Sequence, residues 1–428
     1  SSNHTPINGE LGSFYRPDGL LANSDLKWET TISRNLGLDF GFLNNRINGS
    51  LEIYWNTTKD LLMAVPVDNT TGYSYQFQNF GKTSNRGIEL SLNFDVINKG
   101  DFRFNIGAIY NYNRNKLDEL PNADQYLYSS YWGSSSLVPT NDYMFVEGKA
   151  IGLVRGFVSE GFYTVNDFRY ENGQYILKEG IPDITKALTA TYMHPFNIPN
   201  GQTAFPGAAK FRDVNNSGTV DLDDATCLGE VMPRHTGSFQ LNFNYKNFDL
   251  SSNFNWTAGG KVYNVAAMIN ASGQEFDGIG AQRTSWVADT YKVYNVNSSG
   301  DLYAVTDPNE LNALNANAKY HLPYHQSGIT SSEWLEDGSY LRLQTLTLGY
   351  TLPHTVLNKI HIEKLRIYLT ATNLFTITGY SGIDPEVNAT PTGQSGFYSN
   401  LRVFPTLNMD FGTYPRARTF TLGANITF

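Results

Sequence analysis

The sequence predicts an all-β chain, the C-terminal portion of a transmembrane antiparallel β-barrel with long extracellular loops. Three observations point there. Apolar and polar residues alternate with period two, the mark of a strand with two different faces. The alternating stretches run about 10–12 residues, near the roughly 9–11 that a tilted membrane-crossing strand needs. Their connections are lopsided, tight at one end and long at the other, as in outer-membrane barrels.

Nine strands are expected in order: 28–42, 46–61, 86–98, 102–115, 236–246, 248–258, 338–352, 364–376 and 417–428. In the third, Ile88, Leu90, Leu92, Phe94 and Val96 alternate with Glu89, Ser91, Asn93 and Asp95. The fourth sets Phe102, Phe104, Ile106, Ala108, Tyr110 and Tyr112 against Arg103, Asn105, Gly107, Asn111 and Asn113. "SFQLNFNYKNFDLSSNFNW" repeats the pattern on both sides of a turn at Lys246-Asn247, and "RTFTLGANITF" closes it. The polar faces are rich in Asn, Ser, Thr and Gly, which suits a hydrated lumen. Trp55, Tyr110, Tyr112 and Tyr350 fall towards strand ends, where interfacial girdles lie.

Tight turns are expected at Asn44-Asn45, Asn98–Asp101 and Lys246-Asn247, and long connections over 63–85, 116–237, 259–337 and 377–416. Loops beyond about 12–15 residues are uncommon in compact domains, so these belong to one face of a barrel. The segment 149–165 also alternates but is read as rim structure, because a tenth single crossing would break the parity. With short turns inward, the first strand starts in an outer loop, and single-chain barrels have even strand numbers. Nine strands therefore imply that the front of the barrel precedes Ser1, and the chain opens on "SSNHTPINGELGSF" without Met.

Composition narrows the function classes. Charged residues are 17% and the net charge is −9, with no Lys/Arg-rich run, which argues against a nucleic-acid partner. The single Cys227 excludes an internal disulfide framework and a Cys-based zinc site. No run of 18 apolar residues marks a transmembrane helix. No nucleophile elbow, phosphate-binding glycine loop or H-E-x-x-H pattern occurs, so no catalytic residues are assigned and no enzyme is expected.

"DVNNSGTVDLDD" (213–224) has the donor spacing of a calcium loop: Asp213, Asn215, Ser217, the Thr219 carbonyl, Asp221 and Asp224, with Gly218 at the sharp turn. Ser217 and Asp224 depart from the usual Asp/Asn and Glu, and "FPGAAKFR" upstream is no amphipathic helix. A structural Ca²⁺ is expected rather than a sensor; the alternative is a polar turn held by Asx-type hydrogen bonds. "QYLYSSYWGSSS" puts Tyr126, Tyr128, Tyr131 and Trp132 in an outer loop, where they could stack on sugar rings. Packing of the loop itself or of a partner is the favoured alternative. His321 and His325 share a loop with Pro323 between them and no third ligand nearby, so no metal is expected there.

"NSDLKWETTISRNLGLDFGFLNNRINGSLEIYWNTTKDLL" (23–62) resembles the SusC-like branch of TonB-dependent outer-membrane transporters. So do "NRGIELSLNF", "FRDVNNSGTVDLDD", "YKNFDLS", "WLEDGSYLRLQTLTLGYTLP", "LRIYLTATNLFTITGYSGIDPEV" and "YPRARTFTLGANITF", in family order along nearly the whole chain. The terminal Phe428 on an alternating strand also resembles a barrel-insertion signal. The resemblance implies a barrel of about 22 strands, import of oligosaccharides or peptides across the outer membrane, a SusD-like lipoprotein lid, and TonB. TonB would act through a plug expected before Ser1. Residues 1–428 would be the barrel portion, with 116–237 a large extracellular loop region carrying the 213–224 loop. A passive porin and a soluble carbohydrate-binding β protein are the rival readings.

Overall fold

The structure, a computed structural model, describes residues 3–7, 10–14, 20–73, 75–79, 81–120, 125–130, 137–189, 194–272, 284–322, 328–357, 362–387 and 407–428. Nine long strands form one sheet, and each expected strand is present. They are β1 (Thr30–Phe42), β2 (Ile47–Lys59), β3 (Lys82–Lys99), β4 (Phe102–Glu119) and β5 (His235–Tyr245), followed by β6 (Phe248–Ala258), β7 (Tyr340–Thr351), β8 (Lys364–Thr378) and β9 (Thr419–Thr427). Every neighbour in the sheet is a neighbour in the chain, and every pairing is antiparallel. This is the up-and-down wall of a partial barrel, with β1 and β9 as its edges.

The tight turns sit where left-handed backbone is affordable. Leu43, Asn44 and Asn45 have φ of 54, 55 and 62°, Gly100 has 59° and Lys246 has 50°. Gly tolerates this region because it has no Cβ, and Asn because its short polar side chain can hydrogen-bond to the nearby backbone. β3 and β4 run further than their apolar alternation foretold, out to Lys82 and Glu119, whose side chains meet at 2.8 Å. There the backbone ladder, rather than hydrophobic patterning, carries the strands above the apolar band.

Register aligns the apolar files into one band. Leu38, Leu51, Leu90 and Tyr110 lie side by side across β1–β4, and Phe42, Ile47, Phe94 and Ile106 do so nearer the short turns. The band continues through Phe243, Leu250, Leu348, Leu369 and Leu422 on β5–β9. Several of these residues remain exposed, Leu38 at 60% and Leu422 at 76% among them. A lipid-facing wall leaves its apolar side uncovered by protein, so this exposure follows from the solvent it meets.

The buried core lies in the loops instead. One cluster includes Phe157, Tyr163, Phe205, Phe211, Val220 and Tyr291; a second includes Tyr128, Tyr143, Phe145, Val154, Tyr263 and Trp334. A four-stranded sheet of Gln125–Tyr128, Tyr143–Val146, Leu153–Gly156 and Thr226–Glu230 supports the second. The alternating 149–165 stretch contributes Leu153–Gly156 here and pairs Ser159–Phe162 with Ala209–Phe211, outside the wall. Among the described residues no helix is long and apolar enough to cross a membrane.

Candidate functional site

The face opposite the apolar band is polar on every wall strand. On β1–β4 it carries Asp39, Glu52, Glu89 and Asp95, with Asn35 Nδ2 donating to Glu52 Oε2 at 2.9 Å and Asn105 Nδ2 to Asp95 Oδ1 at 2.9 Å. On β5–β8 it is lined by Gln240, Asn242, Ser251, Thr347 and Thr370; Ser251 Oγ donates to Asn242 Oδ1 at 2.8 Å. Such a surface is hydrated and offers hydrogen bonds to a polar solute.

Two glycines let side chains lie flat along this face. Asp249 on β6 reaches Arg366 on β8 across the intervening β7, with Nε–Oδ1 2.9 Å. A Cβ on Gly349 beneath them would come within 2.5 Å of both side chains. At Gly87 a Cβ would meet the Tyr54 ring at 2.3 Å and the Tyr112 carbonyl oxygen at 2.5 Å, so Tyr54 covers the bare backbone. Both positions follow the rule that strand glycines mark close approach by another group.

At the long-loop end, the outer loops pack onto the polar face. Asn115 Oδ1 on β4 accepts from Ile151 N at 2.7 Å. Arg342 on β7 pairs with Asp384 and, at 3.0 Å, with Glu386; Arg416 meets Glu386 at 2.9 Å. Asn264 Nδ2 donates to Glu336 Oε1 at 2.7 Å, and Ser381 Oγ donates to the same oxygen at 2.7 Å. Sequence reasoning missed these clusters, since their members stand tens of residues apart and only the fold joins them.

In the second loop core, Asp142 is fully buried. Ser130 N and Oγ donate to it at 2.7 and 2.6 Å, yet burial pushes its carboxyl up to about 6. Removal from water disfavours the charged form more than two hydrogen bonds restore it. His194, between Phe196 and Phe205, is pushed the other way by burial.

Within the 213–224 loop the expected donors hold the turn. Asp213 Oδ1 accepts from Ser217 N at 3.1 Å and its Oδ2 from Gly218 N at 2.7 Å; Asn215 Oδ1 accepts from Ser217 N at 2.9 Å. Ser217 Oγ donates to the Thr219 carbonyl at 2.8 Å, and Asp221 Oδ1 accepts from Asp223 N at 2.9 Å. Asp224, fully buried, accepts from Val214 N, Asn215 N and Asp221 N at 2.7–3.1 Å. Asn216 and Gly218 take φ of 59 and 87° to close the bend. Among the described residues no three His, Cys, Asp or Glu side chains converge as a metal group. The arrangement is that of an Asx-type turn.

Tyr128, a candidate for sugar stacking for which loop packing is the favoured reading, is 3% exposed and packs at 4.7 Å on Phe145 and 5.6 Å on Tyr143. Tyr126 packs on Phe145 at 6.5 Å. The structure thus uses both rings for loop packing, while Tyr131 and Trp132 lie outside the described residues. His321 is buried, its Nε2 3.5 Å from Glu333 Oε2; His325 lies outside the described residues.

Residues 3–374 match the family model described as "TonB dependent receptor-like, beta-barrel". TonB-dependent receptor P3 of Formosa agariphila is 30% identical over 407 residues, covering 95% of this chain and 35% of that protein. TonB-dependent receptor SusC of Bacteroides thetaiotaomicron is 27% identical over 414 residues, covering 95% and 32%. Among solved structures, that of the RagAB peptide transporter matches with a TM-score of 0.64 at 21% identity, over 100% of this chain and 38% of the other. The chain spans about a third of the length of these curated relatives. A family model over most of the chain and a nine-stranded wall with an exposed apolar band agree: this is part of an outer-membrane β-barrel, and the chain belongs to the TonB-dependent receptor-like β-barrel family.

Proposed function

We propose that this chain forms part of the wall and outer mouth of a TonB-dependent importer of large nutrients, oligosaccharides first and peptides second. The observation that supports this most is the two-faced wall: an apolar outer band backed by a face of carboxamides, hydroxyls and carboxylates suited to a bulky polar solute. A SusD-like lipoprotein would cover the long-loop end, and TonB would engage a plug region supplied by the rest of the protein. The peptide reading draws on the likeness of fold to the RagAB peptide transporter. The family is one of receptors and transporters, and no catalysis is proposed.

The test is uptake by cells that carry the full-length protein, supplied with labelled oligosaccharides or peptides. Import should stop when TonB is deleted or the proton gradient is collapsed. A passive porin would continue to admit solute, and that outcome would refute active import. Affinity purification should bring down a surface lipoprotein, whose absence would refute the lid.

For the 213–224 loop we propose a structural Ca²⁺ held by Asp213, Asn215, Ser217, the Thr219 carbonyl, Asp221 and Asp224. The donor order and the positive-φ bend support it. Asp213 and Asp224 already accept backbone N–H groups. Each carboxylate has about four acceptor positions, so those bonds leave lone pairs for a cation. Asp221 and Asp224 would have to turn towards the ion, because their side chains now serve the turn.

A further inference from the structure

The outward face of the first four wall strands ends in a row that cargo import does not use. One alternation beyond the apolar band, towards the long loops, Arg34 on β1 stands opposite Trp55 on β2, Trp55 opposite Arg86 on β3, and Arg86 opposite Arg114 on β4. All four are exposed. They share a face with Leu36, Ile53, Ile88 and Tyr112 directly below, so they point outward and not into the lumen. Further out, Lys59 stands opposite Lys82, and Lys116 opposite Ser84.

The row is under-neutralised. Lys82 has Glu119 at 2.8 Å and Lys116 has Asp118 at 3.3 Å. No ion pair forms at Arg34, Arg86, Arg114 or Lys59 among the described residues. Like charges directly opposite on antiparallel strands repel, so Arg86 beside Arg114 is unfavourable unless an anion lies between them. Nor is it a symptom of a generally basic chain, whose net charge is −9. β5 continues the sheet with His235 opposite Tyr112, one file lower, so the basic row is confined to β1–β4.

Its height identifies the medium. Arginine on the lipid face is costly at the bilayer midplane and nearly free at the interface. Trp55 in the same row is a residue that settles at the headgroup level. Arg34 to Arg114 spans three strand spacings, about 14–15 Å, room for more than one anionic group. A guanidinium offers a planar fork that matches phosphate oxygens two at a time. We propose that Arg34, Arg86 and Arg114, framed by Trp55, bind the phosphate groups of a phosphorylated lipid of the outer leaflet, fixing the wall's height and a lipid contact at this edge.

The test uses the full-length receptor carrying this chain, purified from outer membranes in mild detergent. Delipidated wild-type protein is titrated with the phosphorylated outer-leaflet lipid, with the same lipid after enzymatic dephosphorylation, and with inorganic phosphate alone. Only the first should raise the unfolding temperature. In native mass spectrometry, the triple variant Arg34→Gln, Arg86→Gln, Arg114→Gln should bind that lipid roughly a hundredfold more weakly, from the usual surface contribution of each basic residue. An equal response to dephosphorylated lipid, a response to inorganic phosphate alone, or no response would each overturn the proposal. So would undiminished binding by the variant. The wild-type titration reads out whether or not the variant folds.

Discussion

Arg342 on β7 is ion-paired to Asp384 in the segment after β8, with side chains only 3% and 8% exposed. The pair pins an outer segment to the polar face of the wall, and Arg416 and Glu386 extend it into a four-residue network. Such a contact has value mainly as a unit. Removing one partner leaves the other buried and only partly compensated, Arg342 by Glu386 at 3.0 Å or Asp384 by Arg416 at 3.9 Å, a loss of up to about 3–5 kcal/mol, whereas replacing both with apolar groups is often nearly neutral.

Arg342→Met alone or Asp384→Leu alone should therefore sharply raise protease cleavage of the 379–387 segment. The double variant should recover most of the protection. Equal sensitivity of singles and double would mean that the pair does not hold the segment.

Asp142 gives the outer loops a pH dependence. Its carboxyl is raised from 3.8 to about 6, so the folded loops hold its proton more tightly than the unfolded chain does. The resulting stabilisation is fully present below about pH 4 and is lost as pH rises through about 6. Asp142→Asn, which keeps an acceptor for Ser130 N, should stabilise the loops near pH 8 by about 2 kcal/mol. Hydrogen exchange of residues 125–156 against pH would show it, and an unchanged pH profile in the variant would contradict the assignment.

The two faces of β3 should respond oppositely to the same charge. Leu90→Arg places a cation in the apolar band beside Leu51 and Tyr110 and should cost about 2–4 kcal/mol of folding free energy in lipid. Ser91→Arg, on the polar face, should cost little. Urea titration in liposomes separates the two, and equal losses would mean that the faces are misassigned.

Gly87→Ala should destabilise the wall by about 1–3 kcal/mol. The Tyr54 ring can swing away from the new methyl, but the Tyr112 carbonyl, 2.5 Å off, belongs to the ladder. Tyr54→Ala would relieve only the first clash. If Gly87→Ala in that background regained full stability, the backbone contact would be exonerated.

For the 213–224 loop, crystals grown with calcium should show an ion among Asp213, Asp221 and Asp224. Water alone at that position would leave only the hydrogen-bonded turn. Asp213→Asn and Asp224→Asn together should abolish binding measured calorimetrically, while Gly218 and Asn216 keep the bend.

Much of the wall was legible in the chain itself. Period two in stretches such as Ile88 to Val96 fixes which side chains share a face, and Asn44, Asn45 and Gly100 mark the turns, because both are local properties of backbone geometry. The loop cores were not legible. The sequence leaves Tyr128 between stacking on a sugar and packing its own loop until Tyr143 and Phe145 close over it, and Asp142 reads as one more polar loop residue. Their burial depends on partners with no fixed offset in sequence.

The arginine row marks the boundary between the two. Alternation alone puts Arg34, Arg86 and Arg114 on the outward face of their strands. Only the register of β1 to β4 sets them level beside Trp55, since a strand fixes its faces by itself but acquires neighbours only through the ladder that joins it to the next.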